Sequence, residues 1–141
     1  MEQLKQLAKQ KLNRIIVNLI FCKMKTLNSK THGLIDYVFV LLLWASPTLF
    51  HLPEKTALFT YILGSIHLIV TITTDFKFGL IKLLPFKLHG WIELIVSFAL
   101  IGVAFYLENI EGILARNFYF GIAALVFITW LITDYSGSEN N

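Results

Sequence analysis

Four long apolar runs are the feature that most restricts what this chain of 141 residues can fold into. They contain no Asp, Glu, Lys or Arg and cover Tyr37–Pro53, Thr56–Thr74, Leu94–Leu107 and Asn117–Thr133. A helix rises about 1.5 Å per residue, so about 20 residues are needed to cross a hydrocarbon core of roughly 30 Å. Lipid-facing strands would instead alternate apolar and polar residues. The runs therefore predict transmembrane helices at about residues 33–51, 56–74, 89–107 and 116–134.

The composition agrees with a chain dissolved in lipid. Hydrophobic residues make up 56% and charged residues 15%, whereas soluble domains carry about 25% charged residues. A single cysteine, Cys22, excludes an intramolecular disulfide. The sequence has no phosphate-binding glycine loop, no Cys-x-x-Cys and no His-Glu-x-x-His. We therefore expect neither an enzyme nor a cofactor.

The basic residues predict how the chain lies in the membrane. Seven Lys or Arg precede the first span, and Lys77, Lys82 and Lys87 lie between spans two and three. The opposite side has only Lys55 and Arg116. Because basic loops stay in the cytoplasm, both termini are predicted to be cytoplasmic in a multi-pass protein of the inner membrane. The same residues flank lipid rather than nucleic acid, so membrane lipids are the expected partners, with lateral contacts to another membrane protein or to a second copy.

Residues 1–30 form a basic arm. Leu4, Leu7, Leu12 and Ile15 recur at helical spacing, and Lys and Gln residues occupy the other face. This pattern predicts an amphipathic helix lying on an anionic leaflet. The alternative is that translation starts at Met24 and that residues 1–23 are not a functional module.

An internal repeat divides the remaining chain. His32 to Asp36 reads His-Gly-Leu-Ile-Asp and recurs 57 residues later as His-Gly-Trp-Ile-Glu, ending at Glu93. Thr-Asp-Phe at residues 74–76 recurs 59 residues later as Thr-Asp-Tyr. Each copy crosses the membrane twice, so the copies point the same way. The predicted fold is all-α, a four-helix transmembrane bundle of two duplicated same-orientation hairpins with an N-terminal amphipathic helix. The predicted segments are the arm, a hairpin at 31–75, a cytoplasmic loop at 76–87, a hairpin at 88–135 and a polar tail at 136–141.

The repeat also resembles a known family. Thr74-Asp75-Phe76, then Gly79, Pro85, His89 and Glu93, with Ser46-Pro47 late in the first span, are similar to the SPW-repeat family of small bacterial membrane proteins. The resemblance covers about residues 31–135, and the second Ser-Pro-Trp position reads Val103-Ala104-Phe105. It implies an integral membrane protein without an assigned activity. Pro47 itself predicts a kink or an end of the first span, with Ser46 or Thr48 satisfying the freed carbonyl.

The predicted topology places six polar residues at one depth, at the cytoplasmic ends of the spans. They are His32, Asp36, Asp75, His89, Glu93 and Asp134. Within each His–acid pair the spacing of four puts both side chains on one helical face. One interpretation is structural, with these contacts locking the hairpins together. Another is a proton relay, ion site or lipid-headgroup pocket. A third is a metal site, although bundle-core sites use Glu-x-x-His, a different spacing.

The leading interpretation of the whole chain is a small structural or interaction protein of the inner membrane. The alternative is a proton- or ion-handling transporter centred on the six polar residues. His67, inside the second span, has no histidine across the bundle to complete a haem site. It is expected to be neutral and bonded to a neighbouring hydroxyl.

Overall fold

Residues 1–135 are described by a computed structural model, with residues 18–24 described by their backbone alone. The described helices are α1 (Glu2–Met24), α2 (Ser29–Leu49), α3 (Glu54–Thr73), α4 (Phe86–Glu111) and α5 (Ile113–Ile132). Two short strands, β1 (Thr74–Asp75) and β2 (Leu84–Pro85), lie between α3 and α4. Helices α2 to α5 are each long and apolar enough to cross a membrane, which agrees with the four apolar helices that the sequence predicts. The predicted tail at 136–141 lies outside the described residues.

The helices begin earlier than the apolar runs suggested. Helix α2 begins at Ser29, where the side chain of Asn28 caps it by accepting a 2.9 Å hydrogen bond from the backbone N–H of Thr31. Helix α4 begins at Phe86, directly after Pro85, which cannot donate a backbone hydrogen bond. Both repeat histidines therefore lie inside the first helical turn rather than in front of it.

Burial in this protein runs opposite to that of a soluble domain. Apolar side chains face outward, with Leu41 63% and Ile95 65% exposed, whereas Asp36 is 2% and His89 0% exposed. An apolar core does run between the helices, through Leu43, Leu100, Ala104, Leu107, Tyr119 and Ile122. Polar groups inside and apolar groups outside are what a protein surrounded by lipid requires. The four apolar helices and this burial are compatible with a multi-pass membrane protein.

Pro47 lies inside α2, and the helix ends two residues later at Leu49. A proline there removes the N–H that would bond the carbonyl of Leu43, four residues earlier. The hydroxyl of Ser46 donates to that same carbonyl at 2.9 Å. The expected compensation by Ser46 is therefore confirmed.

The helices pack in two pairs, α2 with α3 and α4 with α5. At one end of the molecule the chain segments between them cross from pair to pair. Leu27, just before α2, forms a parallel bridge with Thr133, just after α5. Thr74 in β1 pairs in parallel with Leu84 in β2, just before α4. The segment that leads into each pair therefore adjoins the segment that leaves the other pair.

A carboxylate ties the helices together at the opposite end. Glu111, the last residue of α4, accepts hydrogen bonds from the backbone N–H groups of Lys55 at 2.7 Å and Thr56 at 2.6 Å. The hydroxyl of Thr56 donates to it as well, at 2.5 Å. These donors are free N–H groups in the first turn of α3, so Glu111 acts as a helix cap supplied by another helix.

Candidate functional site

Two histidines at matching places in the two pairs form the centre of the site. His32 lies in the first turn of α2 and His89 in the first turn of α4, and both are fully buried. One turn further on, Asp36 and Glu93 lie on the same helical faces and are 2% and 5% exposed. We call these four side chains the central cluster. Its members come from α2 and α4, so the cluster joins the two helix pairs.

Threonines at the ends of the pairs orient both histidines. The Nδ1 atom of His32 lies 2.9 Å from the hydroxyl of Thr133, after α5. The Nδ1 atom of His89 lies 2.9 Å from the hydroxyl of Thr74, after α3. Each histidine is therefore bonded to a threonine that follows the other helix pair.

The hydrogen bonds of the threonine hydroxyls also determine which ring nitrogen of each histidine carries a proton. Thr74 donates its hydrogen to the carbonyl of Val70, and Thr133 donates to that of Thr129, both at 2.6 Å. A hydroxyl has one hydrogen, so each threonine can only accept from its histidine. Both histidines must therefore carry a proton on Nδ1. In a neutral ring this leaves Nε2 as a bare acceptor.

The bare Nε2 atoms and two carboxylate oxygens converge on one point. His32 Nε2 and His89 Nε2 are 3.4 Å apart. Asp36 Oδ2 lies 3.4 Å from each of them. Glu93 Oε1 lies 3.5 Å from His32 Nε2 and 3.6 Å from His89 Nε2. Four acceptor atoms facing one another in a buried place repel unless a cation or a proton lies among them.

The outer oxygens of the two carboxylates face different partners. Glu93 Oε2 accepts a hydrogen bond from the Tyr135 hydroxyl. Burial raises the pKa of Tyr135, and the neighbouring Glu93 carboxylate raises this pKa further, so the phenol stays protonated and donates. Asp36 Oδ1 lies 3.7 Å from Nε2 of His67, which is longer than a hydrogen bond. Among the side chains that the structure describes, Asp36 Oδ2 and His67 Nε2 are buried and have no hydrogen-bond partner.

Aromatic rings cover the cluster on the side of the connecting loop. Phe86 and Tyr135 lie 5.4 Å and 5.5 Å from the His32 ring, centroid to centroid, and 4.9 Å from each other. Tyr135 rests on Gly90, where an added Cβ would come within 2.7 Å of its ring. Phe76 rests in the same way on Gly33. In each His-Gly dipeptide of the repeat, the histidine belongs to the central cluster. The glycine lets an aromatic ring lie directly on the helix beside it.

Toward the membrane interior the cluster borders an apolar cleft. Its walls come mainly from α3 and α4 and include Ile66, Val70, Ile92 and Val96. His67, His89 and Glu93 contribute its polar end. The cleft leaves about 40 Å³ for molecules the size of water.

The structure brings four of the six predicted site residues together in the central cluster. Asp75 is exposed, and its nearest cation is the exposed Lys82, at 3.8 Å. It points away from the cluster because the backbone turns into β1 and buries the side chain of Thr74 instead. Asp134 is half-buried, and its backbone N–H donates to the carbonyl of Leu27 at 2.9 Å. The residue of this segment that contacts His89 is thus Thr74 and not Asp75.

Several contributors were not identified as site residues from the sequence. The repeated Thr-Asp-aromatic segment contains Thr74, Thr133 and Tyr135, so the repeat could have been used to predict them. His67 approaches a carboxylate, not the hydroxyl expected for it. Nothing in the spacing of the sequence links it to Asp36, 31 positions away.

No protein-family model, curated protein or solved structure matches the chain. The resemblance to the SPW-repeat family therefore stays a prediction.

Gly90→Ala tests the seating of the aromatic ring. The added Cβ would displace the Tyr135 ring and with it the hydrogen bond to Glu93, so we expect the free energy of unfolding to fall by about 1–3 kcal/mol. The measurement is thermal unfolding in detergent. Gly102→Ala is the matched control, because nothing lies within 4 Å of an added Cβ there, and it should gain up to about 1 kcal/mol of helix propensity. Equal losses in the two variants would contradict this account.

Proposed function

We propose that this protein is a small structural or interaction protein of the inner membrane, in which two like-oriented helix pairs are fastened together at their cytoplasmic end. The observation that carries this proposal is the crossed pair of histidine–threonine bonds. His32 holds the end of α5 and His89 holds the end of α3, at 2.9 Å each. In a low-dielectric environment such bonds have no competing water, so they fix which helix ends lie together.

Internal duplication accounts for this arrangement. Leu83 donates its backbone N–H to the carbonyl of Thr73 at 2.8 Å, and Thr26 donates to Ile132 at 2.9 Å. The donors are 57 positions apart and the acceptors 59 apart, the same offsets as in the sequence repeat. Matching offsets in the threonine–histidine bonds support the same origin. An approximate two-fold axis along the membrane normal would relate the two pairs.

The placement in the membrane follows from charge. The excess of Lys and Arg before α2 and between α3 and α4 supports cytoplasmic termini. The described side chains of α1 are exposed, including Leu4 at 72% and Leu7 at 61%. These leucines and the neighbouring lysines suit an anionic leaflet, on which α1 would lie flat.

Asp36→Asn tests the fastening. The substitution removes one of two buried charges that face the histidines, and losing one member of a buried charged group destabilises a protein by about 3–5 kcal/mol. We expect a marked fall in the melting temperature in detergent. Asp75→Asn is the matched control, because an exposed ion pair contributes about 1 kcal/mol or less. If Asp36→Asn melts at the same temperature as Asp75→Asn and the unaltered protein, the fastening proposal fails.

A lateral partner would fit the lipid-facing groove beside Gly121. This groove lies between α2 and α5, with Leu42, Phe118 and Leu125 among its walls. An added Cβ at Gly121 meets nothing within 4 Å. The groove could therefore admit a helix of a second copy or of another membrane protein at close range.

Gly121→Leu tests this contact. The leucine fills the groove without disturbing the fold, so we expect reduced copy number or loss of a co-purifying protein in native mass spectrometry from lipid nanodiscs. Gly102→Leu is the control, since an added Cβ there is also unobstructed. An unaltered protein that is monomeric and without a partner would contradict the proposal, as would equal assembly of both variants.

A proton- or ion-handling transporter is the second candidate, and the cleft between α3 and α4 favours it. The cleft leads to Glu93, His89 and His67, and ionisable groups inside a membrane commonly mark ion pathways. This candidate predicts flux in proteoliposomes that Glu93→Gln abolishes and Asp75→Asn leaves intact. Absence of flux with the unaltered protein would leave the structural proposal alone.

A further inference from the structure

We propose that the central cluster is a binding site for one divalent transition-metal ion, of which Zn²⁺ fits best. The inference deepens the proposed function and rests on it, because it names what fastens the two helix pairs. The ligands would be Nε2 of His32 and His89, Oδ2 of Asp36 and Oε1 of Glu93. Among the described side chains, which do not include those of residues 18–24, these four residues are the group whose ligand atoms converge closely enough for a metal, all within 4.8 Å of one another.

Five of the six distances between the ligand atoms have the length expected for a tetrahedral site, and the sixth, between the two carboxylate oxygens, is no longer than 4.8 Å. Zinc binds nitrogen and carboxylate oxygen at about 2.0–2.2 Å, so neighbouring ligand atoms in a tetrahedral site should be about 3.3–3.6 Å apart. The two Nε2 atoms are 3.4 Å apart, and the four nitrogen–oxygen distances are 3.4, 3.4, 3.5 and 3.6 Å. Five edges of the tetrahedron therefore have the length that a bound zinc ion requires.

The protonation of the site also suits a metal ion. The threonine hydroxyls hold both histidines as Nδ1–H tautomers, which turns two unprotonated nitrogens toward the same point. Asp36 Oδ2, which faces that point, is buried without a hydrogen bond from any described residue. A divalent cation would bond all four atoms and neutralise both carboxylates. Two buried carboxylates without a cation carry a large desolvation cost.

The surroundings resemble the outer shell of a metal site. Metal-binding histidines usually donate their second N–H to a fixed acceptor, and metal-binding carboxylates are themselves hydrogen-bonded. Here Thr133 and Thr74 accept from the histidines, and Tyr135 donates to Glu93. Aromatic rings of Phe86 and Tyr135 shield the site from the loop side. Four protein ligands leave no open position on a tetrahedral ion, which is typical of structural rather than catalytic zinc sites.

The experiment uses the full chain, purified in detergent with a tag that contains no histidine run. We expect elemental analysis to find one zinc ion per chain. After removal of zinc with a chelator, titration with Co²⁺ should produce the intense visible absorption of a tetrahedral site. Zn²⁺ should then displace Co²⁺ stoichiometrically. The inference would be overturned if the purified protein contained no zinc and titration with Co²⁺ produced no tetrahedral absorption.

Variants separate specific binding from adventitious binding. Asp36→Asn should abolish tetrahedral Co²⁺ absorption, whereas Asp75→Asn should leave it unchanged. If Asp36→Asn does not fold, Thr74→Val provides the test, because it retains all four ligands. It removes the acceptor that orients His89, so Zn²⁺ should bind about 10–100-fold more weakly. Metal binding that is the same in Thr74→Val as in the unaltered protein would overturn the assignment of this site.

The metal and the fastening can fail separately. If no metal binds but Asp36→Asn still lowers the melting temperature, the polar cluster fastens the helices with a shared proton, and the metal inference is wrong. If zinc binds but its removal leaves the melting temperature unchanged, the site is a metal site that does not fasten the helices.

Discussion

The structure depends on one constraint, that polar groups buried among lipid-facing helices must find their partners inside the protein. A threonine at the end of each helix pair has its only hydroxyl hydrogen bonded to a backbone carbonyl of its own helix. The same hydroxyl can therefore only accept a further hydrogen bond. The histidine that donates this bond belongs to the other helix pair and is held in one orientation by it. The threonine–carbonyl and histidine–threonine hydrogen bonds together set the orientation of each imidazole ring and determine which helix ends lie next to each other.

The repeated sequence gains a physical meaning from this arrangement. Histidine supplies the inward nitrogen, glycine seats an aromatic ring, and the acid one turn later supplies an inward oxygen. The threonine and the aromatic residue of the second segment orient and cover the same centre. In the first copy the acidic residue between them, Asp75, does not share this role, since it is exposed beside Lys82.

The two halves differ where their outer carboxylate oxygens need partners. Tyr135 donates to Glu93 in the second half. The first half has Phe76 at the matching position, which has no hydroxyl to offer Asp36. Instead, His67 stands 3.7 Å from that carboxylate, where the second half has Val126. The first copy therefore has a histidine near its carboxylate but no hydrogen bond equivalent to the one that Tyr135 donates in the second copy.

Much of the fold could be predicted from the sequence, because apolar runs and helix length are properties of the chain itself. The meeting of His32, Asp36, His89 and Glu93 followed from the repeat and the spacing of four. The role of the threonines could not be predicted, since it depends on how the chain turns after Thr73 and Ile132, where short backbone pairings replace the helix. Convergence of four ligand atoms on one point likewise depends on how α2 and α4 lie relative to each other, which spacing within either helix does not determine.

The most direct test of the account is nitrogen NMR of the protein in detergent with ¹⁵N-labelled histidine, assigned through His32 and His89 variants. The account predicts that Nδ1 of both residues is protonated, whether a metal ion or a shared proton occupies the centre. An Nδ1 atom without its proton on either histidine would contradict it, because the threonine of the opposite helix pair could then not be its acceptor.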